Sequence, residues 1–203
     1  MSSQLHDQID YLKSLAEDGS RAPIMNGGSL FWAGICFSAA AVVHYGIMLG
    51  IVPIPNPWFI TGLWLMAGLA YAVLGYLSIA AAKRRYGCGN AMNRAVSAAW
   101  SGVGIAIFAL FVTLIAAGTQ FKALEVLSAL IAPMILLLYG VGWWVASVVS
   151  GQAWLRMVAF GCLIGAPVLG LLGHQAVQML AYAVALNLFA TIPGLILLRA
   201  ERG

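Results

Sequence analysis

The chain has 203 residues, of which 63% are hydrophobic and only 8% are charged. An ordinary soluble domain has about 25% charged residues, so this composition argues against a soluble enzyme, a nucleic-acid-binding protein or a disordered tail. The formal net charge of +4 does not require nucleic acid, because basic loops on the cytoplasmic side of a membrane explain it. The composition predicts a membrane protein.

The first 27 residues are predicted to form a cytoplasmic unit, a short amphipathic helix followed by a linker. Apolar residues recur at helical spacing within residues 3–18, and this stretch has four acidic residues and one lysine. Helices that rest on anionic lipid are usually basic. We therefore expect this helix to dock onto protein, either onto Lys83, Arg84 and Arg85 of the same chain or onto another chain.

Residues 28–203 are predicted to form an all-α membrane domain of six spans arranged as three hairpins. A helix needs about 20 mainly apolar residues to cross the hydrocarbon layer, and six segments reach that length. They lie near residues 29–50, 58–81, 95–117, 124–149, 153–172 and 176–198.

The distribution of basic residues predicts how these spans are oriented. Nine of the ten Lys and Arg residues fall on one side of the predicted layer, and Lys122 is alone on the other. The positive-inside rule then places both termini in the cytoplasm. A bacterial inner membrane is expected from the compactness of the chain and its lack of targeting signals. Lys83, Arg84 and Arg85 are also candidates for binding lipid head groups. Tryptophans near the same interface are interpreted as an aromatic belt: Trp32, Trp100, Trp143, Trp144 and Trp154.

The spans carry amides and histidines but almost no charge. No Asp, Glu, Lys or Arg lies near the middle of any span, which argues against a proton-coupled carrier. Asn187 and Gln178 are candidates for a functional polar contact or for hydrogen bonds between helices. His44 and His174 share a predicted depth, so they are candidate haem ligands. No metal site is predicted.

Small residues mark candidate sites of helix packing. Gly161 and Gly165 form a GxxxG pair, Gly34 and Ser38 form a similar pair, and Gly102 lies in a small-residue run of the third span. The spacing leaves open whether these residues pack within one chain or between chains. Three prolines inside the last three spans, Pro133, Pro167 and Pro193, are expected to kink their helices.

No enzyme motif is present in the sequence, and no cofactor is predicted. The first hypothesis is a non-catalytic membrane protein that contacts lipid and associates with itself or with another membrane protein, as an accessory or regulatory module. The alternative is a carrier or channel for a small neutral or lipid-like solute, with Asn187 in the pathway. The third hypothesis is a haem- or quinone-binding subunit that uses His44 and His174.

Overall fold

A computed structural model describes residues 27–54, 56, 58–86, 91–173 and 175–201. Within these ranges all regular structure is helical and no strand is present. The helices are α1 (Gly27–Met48), α2 (Trp58–Tyr86), α3 (Ala91–Phe121), α4 (Leu124–Ser128), α5 (Ile131–Ser150), α6 (Ala153–Leu172), α7 (Ala176–Leu186) and α8 (Ile192–Ala200), with a π-helical turn, Asn187–Thr191, between α7 and α8. The amphipathic helix predicted within residues 3–18 lies outside the described residues.

The all-helical fold class and the six predicted apolar segments are confirmed. Among the described residues, six helical segments are long and apolar enough to cross a membrane. They are Gly27–Met48, Trp58–Arg85, Ala91–Phe121, Leu124–Ser150, Ala153–Leu172 and Ala176–Ala200. This architecture is compatible with a multi-pass membrane protein.

Two of the six segments are not continuous α-helices, and a proline follows each interruption. The fourth segment is broken between Ser128 and Ile131, and Pro133 stands in the first turn of α5. The sixth widens into the π-helical turn, which ends at Thr191, two residues before Pro193. A proline has no N–H to donate to the carbonyl four residues earlier, so each interruption accommodates a missing hydrogen bond.

The segments pack in an order that differs from their order in the chain. The first segment, α1, packs between α2 and the sixth segment, formed by α7, the π-helical turn and α8. On the other side of the bundle, α5 packs between α3 and α6. Contacts of α6 with α7 and the π-helical turn join the two groups. As a result, α2 and α3 lie at the periphery, although they are consecutive in the chain.

The core contains one tryptophan that the sequence analysis assigned to the interface. Trp143 is completely buried, and its ring makes an edge-on contact with Trp100 at a centroid distance of 5.0 Å. Trp100 contacts Tyr139 in the same way at 5.3 Å. The assignment of Trp143 to an aromatic belt is therefore wrong: this side chain joins α3 to α5 in the interior.

The first and last segments touch through their backbones. A Cβ added to Gly194 would lie 2.5 Å from the backbone nitrogen of Phe31. A Cβ added to Gly34 would overlap the side chain of Thr191 and lie 2.6 Å from its backbone nitrogen. Ser38, one turn further along α1, is also buried. Glycine and other small residues allow helices to approach this closely.

The close contact of the first and last segments predicts that a single added methyl group lowers the stability of the protein. We expect Gly34→Ala to destabilise the protein by about 2 kcal/mol, because the new methyl group meets the backbone of Thr191, which cannot rotate away. The measurement is reversible unfolding in mixed micelles with increasing denaturing detergent. Gly104→Ala is the matched control, since nothing lies within 4 Å of the position of its added Cβ. Equal stability of the two variants would contradict the packing described here.

Candidate functional site

Gln178 links three parts of the bundle. Its side-chain nitrogen donates to the carbonyl of Ala129 at 2.8 Å and to the carbonyl of Leu169 at 3.0 Å. The Ala129 carbonyl is the group that Pro133 leaves without its α-helical donor. The Leu169 carbonyl lies in the last turn of α6, where the N–H of Gly173 bonds to Gly170 instead. Gln178 is buried, so this predicted contact residue satisfies two internal carbonyls.

Trp143 has the same role at the second interruption. Its indole N–H donates to the carbonyl of Phe189 at 2.8 Å, and Phe189 lies four residues before Pro193. The hydrogen bonding shifts here to the wider π pattern, because the N–H of Ile192 bonds to the carbonyl of Asn187. A donor from α5 thus compensates for the proline in the sixth segment.

Asn187 bonds within its own helix. Its side-chain nitrogen donates to the carbonyl of Ala183 at 2.9 Å, and the residue is half-buried at the start of the π-helical turn. Asn187 does not line either of the two cavities described below. The hydrogen bond described for Asn187 is therefore a local one.

The GxxxG pair packs within the chain. A Cβ on Gly161 would overlap the ring of Phe189, and a Cβ on Gly165 would lie 3.1 Å from the side chain of Leu136. Gly161 and Gly165 thus form a notch on α6 that receives Phe189. Gly102 differs from them, because nothing lies within 4 Å of its added Cβ and the residue is exposed. Gly102 therefore has no packing role among the residues that the structure describes.

Of the two candidate haem ligands, His174 lies outside the described residues. The ring nitrogen Nδ1 of His44 accepts a hydrogen bond of 3.3 Å from the indole of Trp64. This bond joins α1 to α2. No group of three or more metal-ligating His, Cys, Asp or Glu residues occurs in the part of the chain that the structure describes.

A cavity of about 310 Å³ lies where α1 begins and where α2 and α8 end. Its polar lining residues are Ser29, Ser78, Arg85 and Glu201, and its aromatic residues are Phe31 and Trp32. The cavity therefore has a basic and an acidic side chain together with two hydroxyl groups, in a molecule whose spans are otherwise almost uncharged. Such a mixed lining can bind a ligand that carries both signs of charge.

The start of α1 and the end of α8 are joined by a buried carboxylate. The side chain of Glu201 accepts a hydrogen bond of 2.9 Å from the backbone N–H of Gly27, and Glu201 is only 7% exposed. The first N–H groups of a helix have no partner in the helix itself, and a negative charge near them is favourable. Glu201 therefore stabilises the start of α1 and supplies the negative charge of the cavity.

The basic cluster occupies the last turn of α2. Lys83, Arg84 and Arg85 are all exposed, and Arg85 lines the cavity while Lys83 does not. A second cavity of about 560 Å³ adjoins the first on α2 and is lined by Tyr76, Leu77, Ala80, Ala81, Arg84 and Arg85. Arg85 thus lines both cavities, Arg84 lines only the second, and Lys83 lines neither.

Sequence reasoning missed Glu201, Gly194 and Phe189. The hydrogen bond between Glu201 and Gly27 joins residues 174 positions apart, and no local pattern marks such a pair. Gly194 and Phe189 had a local signal, because both are close to Pro193. A search for the carbonyl four residues before each intramembrane proline would have pointed to Phe189.

The hydrogen bonds of Gln178 give a direct test. We expect Gln178→Leu to lower the free energy of unfolding by about 2 kcal/mol, because two internal carbonyls lose their side-chain donor. Gln175→Leu is the control: Gln175 is exposed and its side chain does not cap α7. Detergent-induced unfolding of both variants measures the difference. An equal change in the free energy of unfolding of the two variants would show that the hydrogen bonds of the Gln178 amide do not stabilise the fold.

No protein-family model matches this chain, and no curated protein or solved structure matches it either. Its own residues and contacts are therefore the basis for a functional inference.

Proposed function

We propose that the protein is a non-catalytic, multi-pass membrane module that acts by assembling with a second copy of itself. The observation that carries this proposal is the contrast between the interior and the periphery of the bundle. Among the deep polar donors, Gln178 and Trp143 bond to backbone carbonyls freed by prolines, whereas α2 and α3 present open apolar faces. A carrier needs polar groups available to a solute, and these two donors are already used. Among the described residues, Thr191 Oγ1 is buried without a hydrogen-bond partner, but it lies against Gly34 and lines neither cavity.

The exposed helices support assembly. In the apolar stretches of α2 and α3 only 6% and 11% of the residues are buried, against 28% to 50% in the other four segments. The outer face of α3 combines small residues with large apolar ones at alternating spacings of three and four. Its exposed residues include Ala98, Ser101, Ile105, Phe108 and Val112. This spacing is typical of a seam between two helices, and small residues permit close approach.

Gly102 lies beside this face, four residues after Ala98 and three before Ile105, and it makes self-association testable. We expect Gly102→Leu to weaken the dimer about tenfold, because the added side chain would separate helices that approach at this face. Native mass spectrometry from mild detergent, over a series of protein concentrations, measures the dimer fraction. The fold should be unaffected, since the position of the added Cβ on Gly102 is open.

The matched control is Gly170→Leu. Gly170 lies on α6, is exposed and also has nothing within 4 Å of its added Cβ. We expect this variant to dimerise like the original protein. A monomeric original protein, or equal weakening by the two substitutions, would contradict assembly through α3.

We further propose that both termini face the cytoplasm of a bacterial inner membrane. Because the six segments alternate in direction, the C-termini of α2 and α8 lie on the same side of the bundle. Both helices line the first cavity, which agrees with this placement. Among the described residues, the basic side chains of that end are Lys83, Arg84, Arg85, Arg94, Arg156 and Arg199, whereas Lys122 follows the opposite end of α3. An excess of positive charge is typical of the cytoplasmic side.

Labelling of cysteines tests this orientation. We expect a membrane-impermeant maleimide to react with Cys88, which follows α2 in the sequence, in inside-out vesicles but not in intact cells. Cys88→Ser should abolish that reaction. A cysteine introduced by Lys122→Cys in the Cys88→Ser variant should show the opposite pattern. Reaction of Cys88 in intact cells would reverse the proposed orientation.

A further inference from the structure

We propose that the cavity between α1, α2 and α8 binds the headgroup of a phospholipid that carries a primary ammonium beside its phosphate, as phosphatidylethanolamine does. This inference rests on the membrane location proposed above, and it does not depend on dimerisation.

The charges that line the cavity favour a zwitterionic ligand. Arg85 and Glu201 line one space of about 310 Å³, a volume at the lower end of the range for small-molecule sites. A guanidinium binds a phosphate through two parallel hydrogen bonds, and a carboxylate binds a primary ammonium. An anionic headgroup without an amine would bring its negative charge close to the buried carboxylate of Glu201.

The neutral lining residues fit the same ligand. Ser29 and Ser78 face the cavity from α1 and α2, and a hydroxyl group donates to a phosphate oxygen. Trp32 is also in the lining, and an aromatic ring attracts an ammonium group. The hydroxyl groups and the ring add to the site without adding net charge.

The adjoining cavity indicates a membrane lipid rather than a free phosphate ester. It shares Ala81 and Arg85 with the first cavity and continues along the outer face of α2 past Ala80, Leu77 and Tyr76. Leu77 and Tyr76 are 56% and 71% exposed. A headgroup held at Arg85 would therefore lead into an apolar groove that is open toward lipid, where an acyl chain can lie.

The test uses the full chain reconstituted in vesicles that contain equal amounts of phosphatidylethanolamine, phosphatidylglycerol and phosphatidylcholine with identical acyl chains. Native mass spectrometry after gentle extraction counts the lipid molecules retained by each protein. We expect phosphatidylethanolamine to be retained in about tenfold excess over each of the other two lipids. Soluble glycerophosphoethanolamine at the same concentration should not displace it, because it lacks the acyl chains.

Three variants separate the cavity from general surface charge. Arg85→Gln removes the charge that lines the cavity, and Lys83→Gln makes the same change two residues away, outside the lining. We expect the first to abolish the tenfold preference and the second to keep it. Ala82→Phe places a bulky ring in the cavity without changing charge and should also abolish retention. An unchanged thermal midpoint in detergent shows that each variant is folded.

The proposal would be overturned by phosphatidylglycerol binding as well as phosphatidylethanolamine, or by equal effects of Arg85→Gln and Lys83→Gln. Displacement by soluble glycerophosphoethanolamine would show that acyl chains do not contribute, and it would also overturn the lipid assignment. Lipid retention that appears only after deletion of residues 1–26 would assign the cavity to that segment instead. The oligomer mass, recorded in the same spectra, tests the proposed assembly separately: a monomer with bound phosphatidylethanolamine refutes only the assembly.

Discussion

Every backbone carbonyl inside an apolar bundle needs a donor, and at the two interrupted segments of this bundle a proline creates that need. An unpaired polar group in hydrocarbon costs several kcal/mol. Pro133 and Pro193 each withdraw one N–H, and side chains from other helices donate to the freed carbonyls: Gln178 to Ala129 and Trp143 to Phe189. These hydrogen bonds fix the positions of the fourth and sixth segments relative to each other.

The direct contact of α1 with α8 determines where a ligand site can form. Glycines at positions 27, 34 and 194 let the two helices meet backbone to backbone, and this approach brings the carboxylate of Glu201 to the start of α1. The last turn of α2, with Arg85, reaches the same place because α2 packs on α1. A cavity with both signs of charge is thus a consequence of close helix packing at one end of the bundle.

The two proposals assign different surfaces to different partners. The open face of α3 is suited to another helix, because its small residues leave room there. The cavity and the groove along α2 are suited to a lipid, because polar lining residues lead into an apolar surface. Since α2 and α3 lie at the periphery, both surfaces are accessible at the same time. Lipid binding and assembly can therefore be measured on the same molecule.

The sequence by itself determined the helical class and the six apolar segments, because length and hydropathy are local properties of the chain. It also marked Gln178, Gly161, Gly165 and Gly34 as candidates for contacts, since amides and small residues inside apolar segments have few other roles. The burial of Trp143 and the openness of Gly102 were decided only by the tertiary structure. A residue's position along a helix does not specify which neighbour its face meets. The same holds for Glu201 and Gly27, whose hydrogen bond forms only when the last segment packs against the first.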